Sequence, residues 1–346
     1  MIREVIAKVV SGDNLTESEI KKTFAFIMAG KATSAQIAAF ITALRLKGET
    51  VDEITGAAKA MRAVALKLWS DDYPGEKETV LDTCGTGGDS ADTFNISTAT
   101  AFVAAGGGVT VAKHGNRAVS SRCGSADVLE ALRVNLNINP YDVKRCIKEI
   151  GIGFLFAPLF HRAMQHATGA RREIGIRTIF NILGPLTNPA GANVQILGVY
   201  DPSLTEKIAH VLNRLGIREA FVVCGEGGYD EISICGPTRI SHLKGNDVDT
   251  FEIIPEDFGI KRAVPGDIAG GDINENARII NEILDGKEGP KRDVVLLNTA
   301  AAFVVAGLDP DLKHGIDRAK DSIDTGRARE KLASLIEFTQ MCSPAQ

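Results

Sequence analysis

The sequence predicts an α/β protein in two parts: a small all-helical N-terminal domain and a larger α/β domain with a mostly parallel central sheet. Three observations predict it. Residues 1 to about 70 carry helical periodicity alone. From residue 80, short apolar runs alternate with helical stretches, the pattern of a parallel sheet with helices on both faces. Between them Asp71-Asp72-Tyr73-Pro74-Gly75-Glu76-Lys77 is polar with a Pro-Gly pair, and reads as a linker. The division falls at residues 1–72 and 78–346. Helices from about 158–186 are expected to rejoin the helical domain, giving the two crossings that a hinged cleft needs.

In the helical part, Thr16 with Glu19, Thr33 with Gln36 and Thr50 with Glu53 are capping-box pairs. Each precedes an apolar stripe: Ile20, Phe24, Ile27 and Met28; Ile37, Phe40, Ile41 and Leu44; Ile54, Ala58, Met61, Ala65 and Leu68. Gly30 and Gly48 mark helix stops. Three amphipathic helices result, and their remaining apolar surface either completes an internal core or suits a partner subunit. In the second part strands are expected at 80–83, 109–112, 153–156, 194–200 and 220–224, and helices at 97–105, 125–132, 140–149 and 203–215. Residues 238–243 and 250–254 look like an antiparallel appendage. Three helices, near 273–285, 292–306 and 326–341, close the chain. Within 158–186 the stretches 161–165 and 171–177 look helical. The prolines and glycine of 181–189 read as a rigid turn.

Composition narrows the class. With 39 basic and 44 acidic residues the net charge is -5, which gives no global reason to bind nucleic acid or a membrane surface. No apolar run approaches the roughly 20 residues of a membrane span. Met1-Ile2-Arg3-Glu4-Val5 opens no signal-peptide pattern. Cys84, Cys123, Cys146, Cys224, Cys235 and Cys342 lack paired-ligand spacing and read as reduced thiols of a cytoplasmic protein.

The chemistry is expected after the first two strands. Val80 and Leu81 lead into Gly85-Thr86-Gly87-Gly88-Asp89, and Asn95, Ile96, Ser97 and Thr98 open the next helix. Strand, glycine turn and helix N-terminus together suit phosphate, because glycines let main-chain N–H groups approach an anion and the helix dipole favours negative charge. The spacing is neither the dinucleotide fingerprint nor the Walker loop. An ordinary βα turn is the alternative, but it has no need of the polar cluster Asp89, Thr93, Asn95 and Ser97. After the second strand, Lys113-His114-Gly115-Asn116-Arg117-Ala118-Val119-Ser120-Ser121 is either a solvated loop or a second phosphate loop, with Ser125 as a further donor. Two such loops suit one ligand with two phosphate groups. Asp230-Glu231, in a glycine loop, are either solvated acids or ligands of Mg²⁺. Arg171 and Arg172 are either surface cations or a carboxylate clamp. His114 is either a base or a packing residue. No Ser-His-Asp or Cys-His constellation follows from order or spacing.

These stretches, in order, resemble the anthranilate phosphoribosyltransferases, together with Gly124-Ser125-Ala126-Asp127-Val128-Leu129 and Gly175-Ile176-Arg177-Thr178 through Pro189. The resemblance covers essentially the whole chain. It implies a nucleoside phosphorylase/phosphoribosyltransferase-like fold and transfer of phosphoribosyl from 5-phosphoribosyl 1-pyrophosphate to the anthranilate amine, a step of tryptophan biosynthesis. It implies that Gly85, Gly88, Asp89, Thr93 and the Asn95–Thr98 segment hold the sugar donor, and that Lys113 to Ser121, with Ser125, take its phosphates. Gly85, Asn116 and Arg171 would meet anthranilate. Ser97, Asp230 and Glu231 would hold Mg²⁺, with no residue acting as an acid or base. It also implies a homodimer through the helical domains. Ser90, Arg133 and Arg162 stand where the family commonly has Gly, Gly and Pro. A pyrimidine nucleoside phosphorylase, and a nucleic-acid-binding relative that has lost the transferase, are the rival readings. Asn116-Arg117 and the acidic charge weigh against them.

Overall fold

The computed structural model describes residues 2–69, 78–87, 92–118 and 122–344. The expected linker at 71–77 lies outside these, as do Gly88, Asp89, Ser90, Val119, Ser120 and Ser121.

The helical part contains α1 (Ile2–Val10), α2 (Glu17–Met28), α3 (Ser34–Lys47) and α4 (Val51–Val64). All three capping boxes form: the hydroxyls of Thr16, Thr33 and Thr50 accept from the main-chain N–H of Glu19, Gln36 and Glu53, and those side chains accept in return. The three-helix expectation missed α1. It has no N-cap pattern, although Ile2, Val5, Ile6 and Val9 stand at helical spacing and turn towards the bundle core.

The second part is one seven-stranded sheet, ordered β3-β2-β1-β4-β5-β6-β7. Its strands are β1 (Val80–Gly85), β2 (Thr110–Gly115), β3 (Ile152–Phe156), β4 (Val194–Gly198), β5 (Glu219–Gly225), β6 (Thr238–Lys244) and β7 (Asp247–Ile253). The first five run parallel and the last two antiparallel. The expected appendage is therefore an extension of the main sheet: β6 pairs with β5 along its whole length. The helices α5 (Ile96–Gly106), α6 (Ser125–Ala131), α7 (Pro140–Arg145) and α8 (Ala157–Phe160) follow the first three strands, and α7 runs on into a π-helical turn, Cys146–Ile150. Then come α9 (Gln165–Ile174), α10 (Ile179–Leu183), α11 (Leu204–Arg214), α12 (Ile273–Leu284), α13 (Pro290–Ala306), α14 (Leu312–Asp324) and α15 (Arg327–Met341). Four helices close the chain where three were expected. The unforeseen α14 carries Gly315 in its interior, which weakens helix propensity. That glycine is a packing device: a Cβ there would lie 2.8 Å from the Ala300 Cα and carbonyl oxygen on α13.

Apolar side chains divide into two bodies, one on each face of the sheet. Strand alternation assigns them: Phe221 and Val223 point to one body, Ala220, Val222 and Cys224 to the other. The second body is continuous with the helical bundle through α9 and α10, which pack on α2, α3 and α4. The Phe24 and Phe180 rings meet there at 5.4 Å. The crossing segments bond to each other, Leu66 N–H to the Phe160 carbonyl (2.9 Å) and Leu68 N–H to that of Pro189 (3.2 Å). No helix among the described residues is long and apolar enough to cross a membrane.

Arg133 ends α6 with φ 72°, in the left-handed region that favours glycine. Replacing Arg133 with Gly is expected to raise stability by about 1 kcal/mol. Chemical denaturation would show it as a higher midpoint at unchanged slope.

Candidate active site

The C-terminal ends of β1, β2, β4 and β5 meet on one edge of the sheet. That edge is where an open α/β sheet binds ligands, and the strand order reverses there, between β1 and β4. Gly85 ends β1 and Gly198 ends β4, and the Asp230 backbone lies across them. A Cβ on Gly198 would overlap the Asp230 carbonyl, and one on Gly85 would overlap its carboxylate. Absent side chains thus let the 230–231 loop reach the glycine turn. Thr86 N–H donates to the Gly198 carbonyl (2.9 Å) and ties that turn to β4.

The loop is held from behind by Asn298 of α13, a buried amide that accepts from Ile232 N–H (3.0 Å) and donates to the Ile232 carbonyl (2.8 Å). In front, Asp230 Oδ2 accepts from Gly87 N–H (2.7 Å) and Glu231 Oε1 from Ser97 N–H (3.0 Å). Both amides, one in the glycine turn and one in the first turn of α5, face carboxylate oxygen. That is the geometry of an anion-binding helix start.

Lys113 reaches this point from β2 and is almost fully buried. Its Nζ donates to the Thr83 carbonyl (2.6 Å) and the Ser97 hydroxyl (3.3 Å). Beneath it lies Asp82, wholly buried. Burial pushes the Asp82 carboxyl up and the Lys113 ammonium down, each opposed by the other's charge. Two opposite charges buried this deeply are weak evidence of a stabilising role.

The structure therefore gathers Gly85, Ser97, Lys113, Asp230 and Glu231. Ile96 and Thr98 are buried behind Ser97. Thr93 makes an isolated bridge to Ala269, and Asn95 ties the α5 start to the Cys123 carbonyl and to Asn276. Gly115 passes so close to Ser125 and Phe154 that a Cβ would strike both. Exposed Asn116 accepts from Arg117 N–H (2.8 Å) through Oδ1, and its carbonyl accepts from Ala126 N–H. The Arg117 guanidinium is turned to Asp127 and Glu130 of α6, which tie the loop to that helix. Asp127, which sequence reasoning gave no role, pins the loop by accepting from Ala118 and Gly124 N–H (both 2.9 Å). Arg171 is half-buried on α9 with its guanidinium over the Phe180 ring (5.1 Å), on the helical side of the molecule.

His114 faces His161, which sequence reasoning had read only as part of a helical stretch; their ring centroids are 5.1 Å apart. The main chain at Gly184 faces the His114 ring and that at Thr187 the His161 ring, and among the described residues each Nε2 is buried without a hydrogen-bond partner. Burial pushes His114 down to about 3 and His161 to about 4 from an ordinary 6.5. A lowered pKa means that the folded state resists protonation. The stability present above pH 6.5 is thus lost as pH falls towards 4. The thermal midpoint should drop across that window, and His161→Asn should flatten the drop.

Together, the helical bundle, the parallel sheet and this anion-facing edge define a transferase of the glycosyl transferase type. The profile of the glycosyl transferase family helical bundle domain matches residues 3–65, and that of its a/b domain matches residues 77–329. The chain is 56% identical over 340 residues to the anthranilate phosphoribosyltransferase of Acetivibrio thermocellus, covering 98% of this chain and 97% of that protein. Among solved structures, the anthranilate phosphoribosyltransferase of Thermus thermophilus superposes with a TM-score of 0.90 at 42% identity, over 97% of this chain and 99% of that one. The Saccharomyces cerevisiae enzyme in complex with PRPP and Mg gives 0.88 at 31% identity, over 98% of each chain. The chain belongs to the anthranilate phosphoribosyltransferase family.

Proposed function

We propose that this chain transfers the phosphoribosyl group of phosphoribosyl pyrophosphate to the amine of anthranilate, releasing pyrophosphate, in tryptophan biosynthesis. The observation that carries the reading is the convergence of Gly87 N–H, Ser97 N–H and the Lys113 ammonium on one edge, opposite Asp230 and Glu231. An aromatic amine is a neutral nucleophile, so attack needs no strong base. The barrier lies in expelling a highly charged leaving group from a sugar with oxocarbenium character. Positioning and electrostatic stabilisation therefore matter more than acid–base chemistry.

In this reading Gly85, Gly88, Asp89, Thr93 and the Asn95–Thr98 backbone cradle the donor. Lys113 meets the leaving diphosphate, and the loop to Ser121, with Ser125, takes the remaining phosphate. Gly85, Asn116 and Arg171 face anthranilate, Arg171 towards its carboxylate. The donor set fits Mg²⁺: Asp230, Glu231 and the Ser97 hydroxyl are hard oxygen ligands. Two carboxylates and a hydroxyl leave coordination positions for waters and substrate phosphates, which suits this ion. When bound, the ion would neutralise charge on the departing diphosphate.

We also read the molecule as a homodimer through its helical part, where Leu46 is 83% exposed and Val10 69%. A cytoplasmic setting accords with six free cysteines.

The test follows loss of anthranilate fluorescence on addition of phosphoribosyl pyrophosphate and Mg²⁺. Turnover supports the reading, and its absence from well-folded protein refutes it. In the same assay Arg171→Ala should raise the anthranilate KM about tenfold or more and move the donor KM far less. An equal effect on both would displace the acceptor pocket from α9.

A further inference from the structure

The sheet splits beneath the site. β1 pairs with β4 from Leu81 to Gly85, and β2 with β3 from Val111 to Gly115, but β1 pairs with β2 only at Val80↔Thr110 and Leu81↔Val111. Beyond that point side chains stand in for the ladder. Asp82 Oδ1 accepts from His114 N–H (3.2 Å), Lys113 Nζ donates to the Thr83 carbonyl (2.6 Å), and Asn188 Nδ2 donates to the Ala112 carbonyl (2.8 Å). All three side chains are buried, Asp82 completely; the Asn188 amide and the Cys84 thiol lie close enough to oppose the rise that burial gives its carboxyl, but among the described residues Asp82 Oδ2 meets no donor at hydrogen-bond distance. A buried carboxylate with an unsatisfied oxygen is expensive, and apolar residues could have closed this gap more stably. The two expected phosphate loops leave the sheet from the two strands so parted.

We infer that Asp82 is a positioning residue for the transfer: it holds β2 away from β1 and steadies Lys113 at the edge where the diphosphate departs. This rests on the proposed function. Asp82 does not touch substrate. It acts through its bond to the His114 backbone below the second loop and through the attraction between its charge and the ammonium across the parted strands. Without that charge, the ammonium is drawn towards Asp230 and Glu231, out of line with the leaving group.

The test uses Asp82→Asn, which keeps the shape and an acceptor for His114 N–H but removes the charge. It is made in the full-length protein, alone and combined with Lys113→Met. Asp82→Asn is expected to raise the donor KM about tenfold and to leave the anthranilate KM within about twofold. In the Lys113→Met background it should add less than about twofold, because its target is gone. A donor KM unchanged by Asp82→Asn, or an effect that adds in full to Lys113→Met, overturns the inference. Calorimetric titration with Mg²⁺ and inorganic pyrophosphate reads the same coupling without turnover: weakened binding in Asp82→Asn but no further loss in the double variant supports it, and unchanged binding overturns it. Wild-type protein that binds pyrophosphate but consumes no anthranilate would count against the proposed function alone.

Discussion

Replacing Lys113 with Met is expected to lower kcat/KM for the phosphoribosyl donor about thousandfold, the order found when one preorganised electrostatic contact to a transition state is removed. The ammonium is almost fully buried and fixed by the Thr83 carbonyl and the Ser97 hydroxyl at the start of α5. In that dry setting a fixed positive charge acts on a departing diphosphate far more strongly than in water. Methionine fills the same volume, so the loss reports charge and not packing. The substitution also removes a positive charge that opposes the burial of the Asp82 carboxylate. Stability should therefore fall with activity, and recover in part when Asp82→Asn is added. Activity should not recover with it. Steady-state kinetics and urea unfolding of the two variants check both halves.

Gly198→Ala is the second large effect, and it works by sterics. The added methyl group would occupy the position of the Asp230 carbonyl, a backbone atom that cannot rotate away. The 230–231 loop must lift, carrying both carboxylates off the Gly87 and Ser97 amides. A misplacement of about 1 Å at reacting groups can cost about a hundredfold in rate, and overpacking adds about 1–3 kcal/mol of instability. The expected result is a loss of at least about a hundredfold in kcat/KM, with a weaker Mg²⁺ dependence. Gly245→Ala makes the contrast: it sits at the β6–β7 turn with nothing within 4 Å of an added Cβ, and should cost only the strain of its φ of 61°. Similar activity losses in both would show that close approach at Gly198 is not the cause.

Much of the fold was legible because local rules and tertiary packing agree. The three capping boxes set three helix starts to the residue, and alternation of short apolar runs with helical stretches gave the parallel sheet. The misses have local causes. α1 has no capping-box pattern in its sequence, α14 contains a glycine that serves α13, and the β6–β7 hairpin gives no sign in its residues of which strand edge it will join. At the site, glycines and hydroxyls near a strand end were readable, as was the Asp230-Glu231 pair. Gly198, Asp82, Asn188 and Asn298 were not. Their roles come from lying opposite residues far away in sequence, and nothing in an isolated Gly or Asn marks that. Arg117 shows the converse. Its place in a basic loop was legible, but its pairing with Asp127 and Glu130 of α6 was not.

The central claim is that the first strand–helix junction grips the diphosphate. A crystal structure with phosphoribosyl pyrophosphate and Mg²⁺ tests it most directly. The diphosphate should lie against the Gly85–Gly87 turn and the Ser97 end of α5, with Lys113 Nζ at about 3 Å from one of its oxygens and Asp230 and Glu231 turned to the metal. Donor bound elsewhere, with Gly87 and Ser97 still bonded to the two carboxylates, would contradict it.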